Sequence, residues 1–269
     1  MRAVVKLFVL GSGSSGNCLV VEAEGERLLV DAGVGPIRAT ERMRILGADF
    51  VTSKPALGVF VTHDHGDHSS HAYPLARALR APLFAHAGVP FVSRKRVEVR
   101  TYRPGKTVAI GPFEVEALVI PHDAPHVALR VSAGGRRFGI ATDLGHGTRE
   151  LRAFLQSCDL VMLEANHCPQ LLESGPYPPR LKRRVAGPLG HLTNEQAADV
   201  AATLEDTRVS RLVLAHLSRT NNSPERALAA VHKRVRRLPV DVLLNGEPRR
   251  LDVLDTRRMA SAQQLSFGF

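Results

Sequence analysis

The chain has 269 residues, 44% of them hydrophobic, with 36 Lys and Arg against 26 Asp and Glu, a formal net charge of +10. That length holds one large domain or two small ones with a sizeable core. It shows no apolar run near the roughly 20 residues of a membrane span and no signal-peptide pattern at its start, which excludes a membrane-spanning or secreted reading. Cys18, Cys158 and Cys168 are scattered without a C-x-x-C pair. They argue against a disulfide framework or a cysteine metal site, and for a reducing, cytoplasmic compartment. The positive charge suits a polyanionic partner, although an arginine-rich composition alone gives the same balance.

In chain order, Lys6 to Leu10 reads as a strand leading into a glycine–serine turn, Gly11 to Asn17. Leu19 to Glu22 and Arg27 to Asp31 read as a hairpin pair. Pro36 to Leu46 reads as a helix with proline in its first turn. Val59 to Val61 reads as a short buried strand, and Asp67 to Arg80 as a helix. Strands follow at Pro82 to Ala85, Val97 to Val99, Thr107 to Ile110, Phe113 to Ile120, Val127 to Ser132 and Phe138 to Thr142. Then come a helix at Thr148 to Leu155, a strand at Leu160 to Glu164 and a helix at Thr193 to Leu204, where Thr193 and Gln196 form a capping box. Leu212 to Ala215, Pro224 to Val235 and Val240 to Leu244 read as strand, helix and strand. No linker precedes about residue 255, so the expectation is one domain over 1–254 and a tail over 255–269.

The densest chemistry is Thr62-His63-Asp64-His65-Gly66-Asp67-His68, an H-x-H-x-D-H cluster where a strand ends and the chain turns. Imidazoles and carboxylates are the ligands zinc or manganese takes, and so many histidines make poor core filler because each buried ring needs a partner. The alternative is a solvated polar loop. One segment cannot surround an ion, and three further candidates follow apolar strands: His122, Asp143 and His216. Asp31 also ends a strand, where a carboxylate can orient a ligand histidine through its other ring nitrogen or serve as a turn aspartate. His191 precedes the capped helix at Thr193, a place that favours phosphate. It reads either as a proton donor to a leaving oxygen or as a packing residue. Ser14 and Ser15 in the glycine–serine loop can hold a phosphate or simply join two strands. Asn166 and His167 end a strand and are candidates for a substrate phosphate, as are Lys182 and Arg183 in the basic run beside His191. His71, His86, His126, His146 and His232 suggest no role.

This order of Asp31, the histidine cluster, His122, Asp143 and His216 resembles the metallo-β-lactamase superfamily. More narrowly, Gly11-Ser12-Gly13-Ser14-Ser15-Gly16-Asn17, Glu164-Ala165-Asn166-His167, Gly175-Pro176-Tyr177-Pro178, Leu181-Lys182-Arg183-Arg184 and Gly190-His191-Leu192-Thr193-Asn194 resemble the WalJ (YycJ) family of bacterial 5'-to-3' DNA exonucleases. Cys168 stands where that family is expected to carry aspartate. The resemblance implies an α+β fold, a four-layer αββα sandwich with the site at the rim of two sheets. It implies two divalent ions, zinc or manganese: one on His63, His65 and His122, the other on Asp67, His68 and His216, with Asp143 bridging. A hydroxide held between them, positioned by Asp67, would attack a phosphodiester while His191 protonates the leaving oxygen. The alternatives are an RNA or cyclic-nucleotide phosphodiesterase and a thioester or lactone hydrolase, which has no use for His191 or the basic runs. A non-catalytic nucleic-acid-binding module ranks last, because no ligand of the set is missing. The stretch from His122 to Asp143 is too short for a transfer-RNA-gripping arm, and that from Asp143 to His216 too short for a large inserted domain.

The tail ends Gln264-Leu265-Ser266-Phe267-Gly268-Phe269. It reads as a final strand or plug on the domain's own core. Alternatively, it resembles the glutamine–leucine motif that docks bacterial repair enzymes on the DNA sliding clamp, through Gln264, Leu265, Phe267 and Phe269.

Overall fold

The structure is a computed structural model describing residues 5–52, 54–94 and 96–252. Its first half runs β1 (Lys6–Gly11), β2 (Cys18–Ala23), β3 (Glu26–Val30), α1 (Pro36–Ile45), β4 (Gly58–Val61), α2 (Gly66–Ser69), α3 (Ala72–Leu79), β5 (Leu83–His86) and β6 (Val99–Tyr102). The second half runs β7 (Val108–Ile110), β8 (Phe113–Val119), β9 (Val127–Ala133), β10 (Arg136–Ala141), α4 (Arg149–Gln156), β11 (Leu160–Glu164), α5 (Pro169–Ser174), α6 (Pro179–Val185), α7 (Asn194–Ala202), β12 (Arg211–Ala215), α8 (Pro224–His232), β13 (Val240–Val242) and β14 (Arg249–Asp252).

These strands make two sheets, ordered β14-β1-β2-β3-β4-β5-β6 and β13-β12-β11-β10-β9-β8-β7. Alternation in β8 turns Phe113, Val115 and Ala117 inward, where they meet Leu7, Val9, Phe60, Leu129 and Val213 between the sheets. Central strands such as β4 and β11 are apolar on both faces and buried throughout, because helices cover their outer side. On the first sheet, α1 and α3 supply Ala39, Met43, Leu75 and Leu79. On the second, α4, α7 and α8 supply Leu151, Leu155, Ala197, Ala201 and Val231. The result is the expected four-layer αββα sandwich. Among the described residues, no helix is long and apolar enough to cross a membrane.

The parallel run β3-β4-β5-β6 in one sheet and β10-β11-β12-β13 in the other aim their carboxyl ends at one rim. Three departures from the sequence expectations matter there. The helix expected over Asp67 to Arg80 is two helices, because His71 leaves helical dihedrals and its N–H donates to the Ala32 carbonyl instead. The strand expected at Val97 to Val99 starts at Val99, since Val97 closes a bridge with Arg94. Helices α5 and α6 and strand β14 were not anticipated. The tail residues Gln264, Leu265, Phe267 and Phe269 lie outside the described residues.

Candidate metal centre

Three candidate residues that end strands share an unusual backbone. Asp31, Asp143 and His216 have φ of 62°, 57° and 54°. Left-handed dihedrals cost a non-glycine residue about 1–2 kcal/mol, and such strain gathers where function holds a side chain in place. Each turn bends the chain off its strand and swings a polar side chain over the rim. Gly33 lets the turn after Asp31 pack against the histidine loop, since a Cβ there would lie 1.8 Å from the Asp67 carbonyl oxygen. Ala32 N–H donates to the His68 carbonyl and Asn17 N–H to that of Asp67, pinning the loop from both sides.

The rim gathers side chains into three groups, the last two overlapping, whose ligand atoms lie within 4.8 Å of one another: His63, His65 and His122; Asp67, His68, Asp143 and His216; and Asp143, Glu164, His191 and His216. His63 Nε2 and His122 Nδ1 are buried without a hydrogen-bond partner. Orphaning such an atom costs about 1–3 kcal/mol, a penalty that a cation among them removes. Asp31 accepts from Thr62 N–H and Oγ1, and its Oδ2 takes the Nδ1–H of His68 at 2.7 Å. His68 Nε2 is thereby turned to Asp143 Oδ2 at 3.0 Å. The Asn17 side-chain amide also reaches His68 Nε2, at 2.8 Å. Burial pushes the His68 pKa down, but the Asp143 and Asp31 carboxylates hold it well above 6.5. His63 behaves oppositely, its charged form disfavoured by burial and by the neighbouring His126 and His68, so it presents the neutral ring a metal takes. The donor set therefore fits divalent ions. Asp31→Asn is expected to weaken metal affinity about 10- to 100-fold while the fold survives. Competition against a chromogenic chelator reads this directly, and unchanged affinity would reduce Asp31 to a turn residue.

One buried carboxylate of the site had been given no role from sequence. Glu164 ends β11 fully buried. Its Oε1 accepts from His191 Nδ1 at 2.8 Å and His216 Nδ1 at 3.0 Å, and its Oε2 from the N–H groups of Leu144 and Leu192. Burial would raise its pKa, yet the His191 charge and the bonds from both imidazoles bring it down to about 2. One carboxylate thus fixes two tautomers: His216 keeps Nε2 for the ion site and His191 keeps Nε2 for the cavity. Burial lowers the His191 pKa, Glu164 and Asp143 raise it, and the net shift is upward. Gly190 permits the approach of His191, because a Cβ there would meet the Arg184 and Val185 carbonyl oxygens at 2.2 Å. His126, given no role from sequence, packs its ring 4.1 Å from that of His63 and bonds the Thr142 carbonyl at 2.7 Å, bracing the turn at Asp143. Asp123 lies 3.3 Å from His122 Nε2 and pairs with Arg184.

A cavity of about 420 Å³ opens over this rim, walled by Ser14, Asp67, Asn166, Tyr177, Arg184 and His191 among others. Asn166 donates to the His216 carbonyl at 2.9 Å. His167, Lys182 and Arg183 are not among the residues that wall this cavity. His167 is 1% exposed because its backbone bridges to Thr193 and Asn194. Lys182 turns to the Glu173 carbonyl, and Arg184 is the member of the basic run that faces the cavity. Ser15 lines an adjoining cavity.

Two facing sheets with helices outside and histidines and aspartates at one rim define a metallo-β-lactamase-fold hydrolase. The model of the beta-lactamase superfamily domain matches residues 26–217. The exodeoxyribonuclease WalJ of Streptococcus pneumoniae is 31% identical over 237 residues, covering 82% of this chain and 85% of that protein. The exodeoxyribonuclease YycJ of Bacillus anthracis is 30% identical over 230 residues, covering 83% and 86%. The chain belongs to this WalJ/YycJ family of the beta-lactamase superfamily. Among solved structures, the metallo-beta-lactamase fold protein YhfI of Bacillus subtilis superposes with a TM-score of 0.70 at 17% identity, over 93% of this chain and all of that one.

Proposed function

We propose that the protein is a dinuclear, metal-dependent 5'-to-3' DNA exonuclease of the cytoplasm. The observation that carries the reading is the Glu164–His191 pair, set against the ligand cluster inside a cavity that also holds Arg184. A hydrolase of thioesters or lactones needs no positioned acid on that side. The names of the two bacterial relatives point the same way. His63, His65 and His122 would hold one ion, Asp67, His68 and His216 the other, with Asp143 between. Bound there, two divalent ions supply a strong nucleophile at neutral pH and offset the charge building on phosphoryl oxygens.

The chain's own residues do the rest. Asp31 and Glu164 fix the tautomers of His68 and His216. Arg184 gives the cavity a cation for phosphate. His191, held at Nδ1 by Glu164, delivers a proton from Nε2 to the departing oxygen. Digestion of end-labelled DNA and RNA, each with and without a 5'-phosphate, under zinc or manganese, tests the reading. Stepwise shortening of DNA from the 5' end is expected. Internal cuts, faster RNA cleavage, or thioester hydrolysis exceeding both would overturn it.

The tail adds a partner to this reading. Gln264, Leu265, Phe267 and Phe269 resemble a clamp-docking motif, and a short segment of this kind suits a transient partner because ordering it consumes part of the affinity. Tethering would deliver a weakly selective nuclease to newly replicated DNA. Fluorescence titration of the sliding clamp with a peptide spanning Ala260 to Phe269 is expected to saturate, and Gln264→Ala with Phe269→Ala to abolish binding. Equal binding by both peptides would refute the docking.

A further inference from the structure

A second cavity, of about 690 Å³, adjoins the catalytic one and shares Ser14, Gly66 and Asp67 with it. These three residues form the boundary that the two cavities have in common. Their walls differ in chemistry. The first carries His191, Arg184 and an aromatic ring, Tyr177. The second carries Ser15 and Arg38, and among its described lining residues there is no metal-ligand candidate beyond the shared Asp67. Arg219 donates to Ser15 Oγ at 3.3 Å, bringing a second guanidinium to that loop. Arg42 lies close behind, anchored on the Leu10 carbonyl. Its pKa is lowered by burial and then by the charges of Arg38 and Arg219, with Glu41 opposing. Three guanidiniums, Arg38, Arg42 and Arg219, thus stand about one loop against two carboxylates on the cavity wall, Glu41 and the shared Asp67, an excess of positive charge that phosphates relieve.

The side on which His191 stands fixes a direction. In a phosphodiester cleaved from the 5' end, a water oxygen bonds to phosphorus and the P–O3' bond breaks. The proton from His191 goes to that departing O3', giving a free nucleotide and a strand with a new 5'-phosphate. The departing nucleotide must therefore lie on the His191 side, and the retained strand on the other. Resting on the nuclease reading above, we propose that the 5'-terminal nucleotide occupies the first cavity with its base against Tyr177. The retained strand then crosses Ser14 and Ser15 into the second cavity, where Arg38 and Arg219 take its phosphates. Stacking on an aromatic ring is tolerant of base identity, as removal of successive nucleotides requires.

The test compares a long single strand with a dinucleotide, which ends before the second cavity begins to hold phosphates. In Arg38→Gln/Arg219→Gln, kcat/KM on the long strand is expected to fall about ten-fold more than on the dinucleotide. The slope of log KM against log salt should lessen by about 1.4, the loss of two contacts on single-stranded DNA. A neutral methylphosphonate in the second linkage from the 5' end should weaken wild type and cost the double variant nothing further. Tyr177→Ala should lose equally on both substrates. Equal losses on both substrates in the arginine variant, or none, would overturn the assignment of the second cavity while leaving the nuclease reading intact. A wild-type protein inactive on every phosphodiester would overturn the nuclease reading, and this proposal with it.

Discussion

Asp143→Asn is expected to abolish turnover and leave the purified protein with at most one of the two metal ions proposed above. Asp143 is 1% exposed, and its oxygens lie 3.0 Å from His68 Nε2, 3.5 Å from His216 Nε2 and 3.7 Å from His191 Nδ1. Burial would raise its pKa, but the surrounding imidazoles, His216 first, hold it well below the usual carboxylate range. It is the only described carboxylate that stands among His68, His216 and His191 together. An amide preserves the shape but removes the charge that any pair of ions there would share. Loss of several kcal/mol of charge stabilisation corresponds to a rate reduction of about 10³-fold or more. Metal content by mass spectrometry, measured beside turnover and a thermal melt, separates this from unfolding. Two retained ions with near-normal turnover would remove Asp143 from the centre of the site.

Much of this site is legible in the sequence because its residues follow apolar strands. His63, His122, Asp143 and His216 each come where an alternating or fully apolar run stops, and a buried strand end is a short-range signal. What escaped has a long-range cause. Glu164 is an ordinary strand-terminal glutamate until its partners arrive from 27 and 52 residues away in sequence. His126 precedes a strand rather than ending one, and only its bond to the Thr142 carbonyl reveals its bracing of Asp143. The same holds for the fold. Helices α5 and α6 begin with prolines and lack a sustained apolar period, so no amphipathic stripe announces them. Strand β14 exists through pairing with β1 at the opposite end of the chain, Lys6 opposite Asp252. His71 would continue a helix by local preference, but a hydrogen bond to Ala32 overrides it. Lys182 and Arg183 looked like phosphate ligands by proximity to His191, yet the helical phase of α6 presents Arg184 to the cavity instead.

The second large effect concerns the proton. His191→Ala is expected to keep the metal content of wild type and lose about 10²- to 10⁴-fold in kcat, the usual contribution of a positioned acid. Its side chain is 19% exposed and touches the cavity, with Nδ1 committed to Glu164 at 2.8 Å. Glu164 and Asp143 raise its pKa above 6.5 against the effect of burial, which favours the protonated ring that has a proton to give. The sign follows: activity needing that proton is present below the folded-state pKa of His191 and lost as pH rises through it. Wild type should therefore show a basic limb in kcat that the variant lacks. Leaving-group chemistry gives an independent reading. A nitrophenyl phosphodiester departs without needing a proton, so the variant should lose far less on it than on DNA. If both substrates suffered alike, or if the basic limb survived in His191→Ala, the imidazole would be a packing residue. Glu164 would then serve His216 alone.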